Sequence, residues 1–162
     1  MTANSIEIER KFLVRDDSYK AFATSSVHIR QGYLCLNPNC SVRVRQWNDQ
    51  AFLTIKGKSA PGSIARYEFE KEISAADADG LFRLALPGVV EKTRWLVPLP
   101  GGLTCEVDEF MGLNAGLVMA EVELESETQV FVKPAFLREE VTHDRRYFNS
   151  YLSQHPYTTW NQ

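Results

Sequence analysis

Ile6-Glu7-Ile8-Glu9-Arg10-Lys11-Phe12-Leu13-Val14 alternates apolar and charged residues with a period close to two. That is the spacing of a β-strand, so Glu7, Glu9 and Lys11 share one face while Ile6, Ile8, Phe12 and Val14 share the other. A lone strand of this kind ordinarily turns its charged face to water. Here the pattern recurs, in Arg43-Val44-Arg45, Glu68-Phe69-Glu70, Lys92-Thr93-Arg94, Glu106-Val107-Asp108 and Glu121-Val122-Glu123, each inside a segment that reads as strand. Most of these pairs are like-charged, which is repulsive unless something of opposite charge lies between. A solvated surface would mix the signs.

Working outward, Asp16 and Asp17 predict the start of a short helix through Tyr19, Phe22 and Ala23. His28 to Leu36, Ser41 to Trp47 and Ala51 to Lys56 read as an antiparallel meander, with Asn37-Pro38-Asn39 and Asn48-Asp49 as turns. Residues 57–62 form a loop before the long strand Ile64 to Ile73. Ser74 followed by Asp77 resembles a capping box, and Ala78, Leu81, Phe82 and Ala85 recur at helical spacing up to Pro87-Gly88. Val89 to Val97, Leu103 to Phe110 and Leu117 to Glu125 complete eight strands. In the tail, Pro134 is a breaker and Arg145 to Leu152 a candidate amphipathic helix.

With 162 residues, 44% hydrophobic, the chain has room for a single domain, taken as residues 1–162. A net charge of -3 gives no general attraction to nucleic acid, and no apolar run is long enough for a membrane span. Met1 to Ser5 lacks the marks of an export signal, so a cytoplasmic location is expected. Cys35, Cys40 and Cys105 match no zinc or redox spacing, and His28, His143 and His155 are scattered, which argues against a histidine-based triad or transition-metal site.

Eight antiparallel strands can form a sandwich or close into a barrel. Val42 and Val44, Leu53 and Ile55, Tyr67 and Phe69, and Val118, Val122 and Leu124 alternate with the charged positions. If the helices pack on this apolar set outside a barrel, the charged residues face inward and line a wet tunnel. The expected fold is therefore α+β, mainly β: an eight-stranded antiparallel closed barrel with helices outside. Outward Tyr67 and Phe69 suit either a homodimer contact or a helix laid over them.

The inward parity carries the acids Glu7, Glu9, Glu68, Glu70, Glu106, Asp108, Glu121 and Glu123, and the bases Lys11, Arg43, Arg45, Lys56, Arg66, Lys92 and Arg94. Near balance of sign suits a ligand that presents both, a polyphosphate with a divalent cation. Arg43, Arg45 and Arg94 can grip phosphate oxygens bidentately, and Lys11, Lys56 and Lys92 act as mobile point charges. Carboxylates with no His or Cys favour hard ions, Mg²⁺ or Mn²⁺. Tyr33 reads either as core or as a hydroxyl directed at phosphate.

Glu7-Ile8-Glu9-Arg10-Lys11-Phe12 resembles the E-x-E-x-K signature of the CYTH superfamily, the triphosphate tunnel metalloenzymes. The resemblance continues through Gln31-Gly32-Tyr33-Leu34, Val42 to Arg45, Thr54 to Gly57, Arg66 to Glu70, Lys92 to Arg94, Glu106 to Phe110, Ala120 to Glu123 and Glu140 to Asn149. It implies metal-dependent binding of a triphosphate, with Lys11, Arg43, Arg45, Lys56, Lys92 and Arg94 on phosphates. It also implies Glu7, Glu9, Glu68, Glu70, Asp108, Glu121 and Glu123 on metal or water, while Arg66 and Glu106 match the pattern less closely.

The function expected is hydrolysis of inorganic triphosphate, with Glu9, Lys11 and Glu123 at the chemistry. The rivals are a class IV-type adenylate cyclase, hydrolysis of ATP or thiamine triphosphate, and a non-catalytic polyphosphate or nucleotide sensor.

Overall fold

The computed structural model describes residues 6–160; the reading of Met1 to Ser5 lies outside them. Nine strands run β1 Ile6–Val14, β2 Ser25–Leu36, β3 Cys40–Trp47, β4 Gln50–Gly57, β5 Ala65–Ile73, β6 Val90–Pro98, β7 Thr104–Phe110, β8 Val118–Glu123 and β9 Leu137–Glu140. Three helices, α1 Tyr19–Phe22, α2 Ala75–Leu84 and α3 Asn149–Gln154, interrupt or follow them. The first eight strands pair antiparallel in the order β5-β4-β3-β2-β6-β7-β8-β1, and pairing of β1 with β5 closes the barrel. The ninth strand was not expected from the sequence. β5 reaches only Ile6 to Ile8 of β1, so β9 pairs with the same strand further along, at Phe12 and Val14. Between the two, the Thr142 hydroxyl accepts from the Lys11 backbone N–H at 3.0 Å, completing the strand's hydrogen bonding where the wall splays.

The apolar parity does lie outside. Phe12, Val97, Cys105, Val107, Ala120 and Val122 are buried on the outer face of β1, β6, β7 and β8, beneath Tyr19 of α1 and Phe136 and Leu137 of the tail. Cys105 belongs to this layer, where burial pushes its thiol up to about 12. α2 covers Val44 and Ala51 with Ala78, Leu81 and Phe82. The capping interaction expected at its start is present, with the Asp77 N–H donating to Ser74 Oγ at 3.0 Å. α1 starts differently: its N-cap is Ser18, whose N–H donates to Asp16 Oδ1 at 3.0 Å, and Phe22 is 65% exposed. Tyr67 and Phe69 stand 51% and 41% exposed.

The tail splits where a continuous helix was expected, into a 3-10 turn at Arg145–Tyr147 and then α3. α3 sits across one end of the barrel rather than on its side. Leu152 packs there with Val90, Phe110, Leu117 and Met119. Gly88 makes this approach: its φ is +99°, and a Cβ on it would lie 1.7 Å from the Ser153 carbonyl oxygen. No helix among the described residues is long and apolar enough to cross a membrane.

Candidate active site

Strand register sets the inward charges into rows. Glu9 stands opposite Glu123 and Lys11 opposite Glu121 across β1 and β8, while Glu106 faces Glu121 across β7 and β8. On the far wall Arg43 faces Tyr33 and Thr54, and Lys56 faces Glu68. Glu7 faces Arg66 where the barrel closes. All of these side chains but Thr54, with Arg45, Glu70 and Arg94, line one cavity of about 200 Å³. At roughly 30 Å³ per water that is room for a handful of waters or a small polyanion, not for a nucleic-acid strand.

Most of the acids are held by bases. Lys11 Nζ donates to Glu121 at 2.7 Å and lies 3.0 Å from Glu9, so despite full burial its ammonium is held well above the usual lysine range. Lys56 pairs with Glu7 at 2.7 Å and with Glu68 at 3.2 Å; Arg66 pairs with Glu7 at 3.0 Å. Arg94 reaches Glu106, Asp108 and Glu121. Burial raises the Glu121 carboxyl, but Lys11 and Arg94 outweigh it and hold the group ionised well below the usual range.

Two imbalances remain. Arg43 and Arg45 are buried, yet among the described residues neither forms an ion pair. Arg43 Nε has no hydrogen-bond partner, and Arg45 Nε has only the Gln31 amide oxygen, at 3.1 Å. Burial, with Arg43 and Arg94 nearby, lowers the Arg45 guanidinium to about 10. Around Glu123 the excess is of the other sign. Desolvation, with Glu7, Glu106, Glu9 and Glu68 around it, raises the Glu123 carboxyl to about 7. A buried cation without an anion, and an acid among acids, are costly until a ligand supplies the missing charges.

A divalent cation fits this donor set. Glu9 and Glu123 are like-charged and directly opposite, an arrangement that a bound cation relieves, and the donors are all carboxylate oxygen. Among the described residues no three acidic, His or Cys side chains already stand together as a ligand group; bases are paired with several of the acids instead.

Lys92 and Asp108 share the inward parity but do not line the cavity. They lie one pleat deeper, both at 0% exposure, joined at 2.6 Å. Asp108 also takes a two-pronged contact from Arg94, at 2.7 and 2.8 Å. One carboxylate is thus shared by two cations, and burial beside Arg94 lowers the Lys92 ammonium to about 7. Sequence reasoning passed over Gln31, Trp47, Phe148, Asn149 and Ser150. Gln31 is fully buried, donates to Asn149 Oδ1 at 2.8 Å and accepts from Arg45, while the other four line the cavity. The parity of Gln31 with Tyr33 and of Trp47 with Arg45 was visible; the arrival of α3 was not.

The sequence matches the CYTH domain family over residues 5–153, and the chain belongs to that family. It is 45% identical over 157 residues to an inorganic triphosphatase of Acetivibrio thermocellus, covering 96% of this chain and 98% of the relative. An inorganic triphosphatase of Nitrosomonas europaea is 37% identical over 150 residues, covering 91% and 96%. Among solved structures, a crystal structure of an inorganic triphosphatase superposes with a TM-score of 0.63 at 35% identity, covering 94% of this chain and 95% of that one. A Hippeastrum protein described as a putative adenylyl cyclase with a dominant triphosphatase activity shares the fold, with a TM-score of 0.59 at 15% identity and 74% and 80% coverage.

Proposed function

We propose that this chain is a metal-dependent inorganic triphosphatase, converting tripolyphosphate and water to pyrophosphate and orthophosphate within the barrel. The observation that carries the reading is the pair Arg43 and Arg45: buried guanidinium groups in a small cavity, with no carboxylate of their own. A polyanion supplies what they lack. The names of the two curated relatives support the choice of inorganic triphosphate.

Phosphoryl transfer needs alignment and charge stabilisation more than it needs a protein nucleophile. Arg43, Arg45 and Arg94 grip phosphate oxygens from two strands, β3 and β6, Lys56 and Arg66 extend the track along the wall, and the Tyr33 hydroxyl lies alongside. Lys92 acts from behind, by holding Asp108 and through it Arg94. Lys11, kept protonated by Glu121 and Glu9, neutralises charge that develops on the phosphoryl oxygens. A carboxylate of the Glu9 and Glu123 pair orients the attacking water and takes its proton as the new P–O bond forms and the P–O–P bridge breaks. Mg²⁺ or Mn²⁺, held by Glu9 and Glu123 with Glu7, Glu68, Glu70, Glu106 and Glu121 within the same bore, supplies further neutralisation of phosphate charge when bound.

The purified protein is incubated with tripolyphosphate and, separately, with ATP, each with Mg²⁺, Mn²⁺ or chelator, and phosphate, pyrophosphate and cyclic AMP are followed. Equal release of phosphate and pyrophosphate from tripolyphosphate, lost with chelator, is expected. Cyclic AMP as the main product overturns the assignment in favour of a cyclase, and binding without product overturns it in favour of a sensor.

A further inference from the structure

Asn149, the first residue of α3, lines the cavity. Its Oδ1 accepts from Gln31 Nε2 at 2.8 Å and from Lys92 Nζ at 2.9 Å. Two independent constraints fix that orientation. Arg45 has only donors, so the Gln31 atom facing it at 3.1 Å is the amide oxygen, and the Gln31 nitrogen is left facing Asn149. Lys92 also approaches as a donor. An Asn149 flipped by 180° would set its own N–H groups against both, so Oδ1 faces the protein and Nδ2 is left over.

Nδ2 has no partner among the described residues. The buried side-chain nitrogens that are cut off from solvent without a partner are Arg43 Nε and Trp95 Nε1, and Nδ2 is not among them. Asn149 itself is buried, so the solvent that reaches Nδ2 does so from the cavity it lines. The same residue thus ties together Gln31 with Arg45 on one side, and Lys92 with Asp108 and Arg94 on the other.

We infer that Asn149 is a substrate-binding residue: its oxygen positions Gln31 and Lys92, and through them Arg45 and Arg94, while Nδ2 donates to a phosphate oxygen of the bound triphosphate. This rests on the triphosphate reading above. The C-terminal helix is then part of the phosphate site, contributing a neutral donor among the arginines.

Asn149→Asp separates contact from support. The carboxylate keeps acceptors for Gln31 and Lys92 but replaces the N–H donor with an oxygen that repels phosphate. Ser150→Asp adds the same charge one residue along on the same cavity wall and serves as the comparison. Binding of tripolyphosphate, and in parallel of ATP, is measured by calorimetry in chelator, so that no turnover intervenes, with the melting temperature of each variant recorded. Asn149→Asp is expected to melt near the wild type and to bind about 10–100-fold more weakly than Ser150→Asp, the scale of a lost hydrogen bond to a charged group, the added charge being common to both. Equal binding by the two variants overturns the assignment of Asn149 alone. A wild type that binds neither anion, in chelator or with Mg²⁺ or Mn²⁺ present, overturns the triphosphate reading itself. Should Asn149→Asp not fold, the wild-type side-chain amide decides by NMR: its protons shift downfield on saturation with tripolyphosphate, and unmoved signals refute the contact.

Discussion

Arg43 and Arg45 are destabilising to the empty protein and useful to the loaded one. A buried guanidinium without an anion is costly, and replacing such a charge by an apolar side chain of similar length is often stabilising. Arg43→Met is therefore expected to raise the melting temperature without ligand and to lower kcat/KM for tripolyphosphate by roughly 10²–10³-fold, the loss typical of one charge-stabilising donor. Differential scanning calorimetry and initial rates check the two halves; a variant less stable than wild type would mean that Arg43 has a structural anion in the fold. Glu123 gives a pH signature. Its folded carboxyl is raised from 4.5 to about 7, so the folded chain holds a proton that the unfolded chain releases across that window. The contribution is fully present below about 4.5 and is lost as pH rises through 7. Glu123→Gln should accordingly be more stable than wild type above pH 7 when metal-free, with the difference vanishing towards pH 4.5, as urea titrations at several pH values would detect. Bound metal should reverse the order, since the ionised carboxylate is the form that holds a cation.

At the scale of elements, the two-residue period legible in Ile6 to Val14 carried over to β3, β5 and β8, and it correctly put Arg43, Arg45, Glu68, Glu121 and Glu123 inside. What period cannot convey is depth. Lys92 and Arg94 share a parity, yet α3 buries the first behind the cavity and leaves the second in it. Val90, Phe110 and Met119 have the parity of Lys92, Asp108 and Glu121, but they lie under Leu152, so the polar lining ends where the helix arrives. Leu137–Glu140 has no strand pattern and becomes β9 because β1 has an edge that β5 leaves open. These are tertiary decisions, made by contacts distant in sequence. Gly88 is where such a contact can be broken. Gly88→Ala forces its Cβ against Ser153 at a positive φ, so α3 must shift; a loss of about 1–3 kcal/mol is expected. Weaker tripolyphosphate binding should accompany it, because Asn149 moves with the helix. Unchanged binding in Gly88→Ala would detach α3 from the site.

For the whole molecule, the barrel reverses the usual soluble arrangement, with its greasy faces under α1, α2 and the tail and its charges within. A polyanion that satisfies Arg43 and Arg45 binds the folded chain and not the unfolded one, so tripolyphosphate should raise the melting temperature even in chelator, by about 2.7 kcal/mol of stability at a hundredfold excess over Kd. Orthophosphate, bridging fewer of the cations, should stabilise less at equal concentration; equal shifts would point to surface screening. The most direct test is a crystal structure grown with tripolyphosphate and chelator. The account predicts phosphate oxygens within hydrogen-bond distance of Arg43 Nε and the Arg45 guanidinium. An anion seated on the outer wall, with those two arginines still unsatisfied, would contradict it.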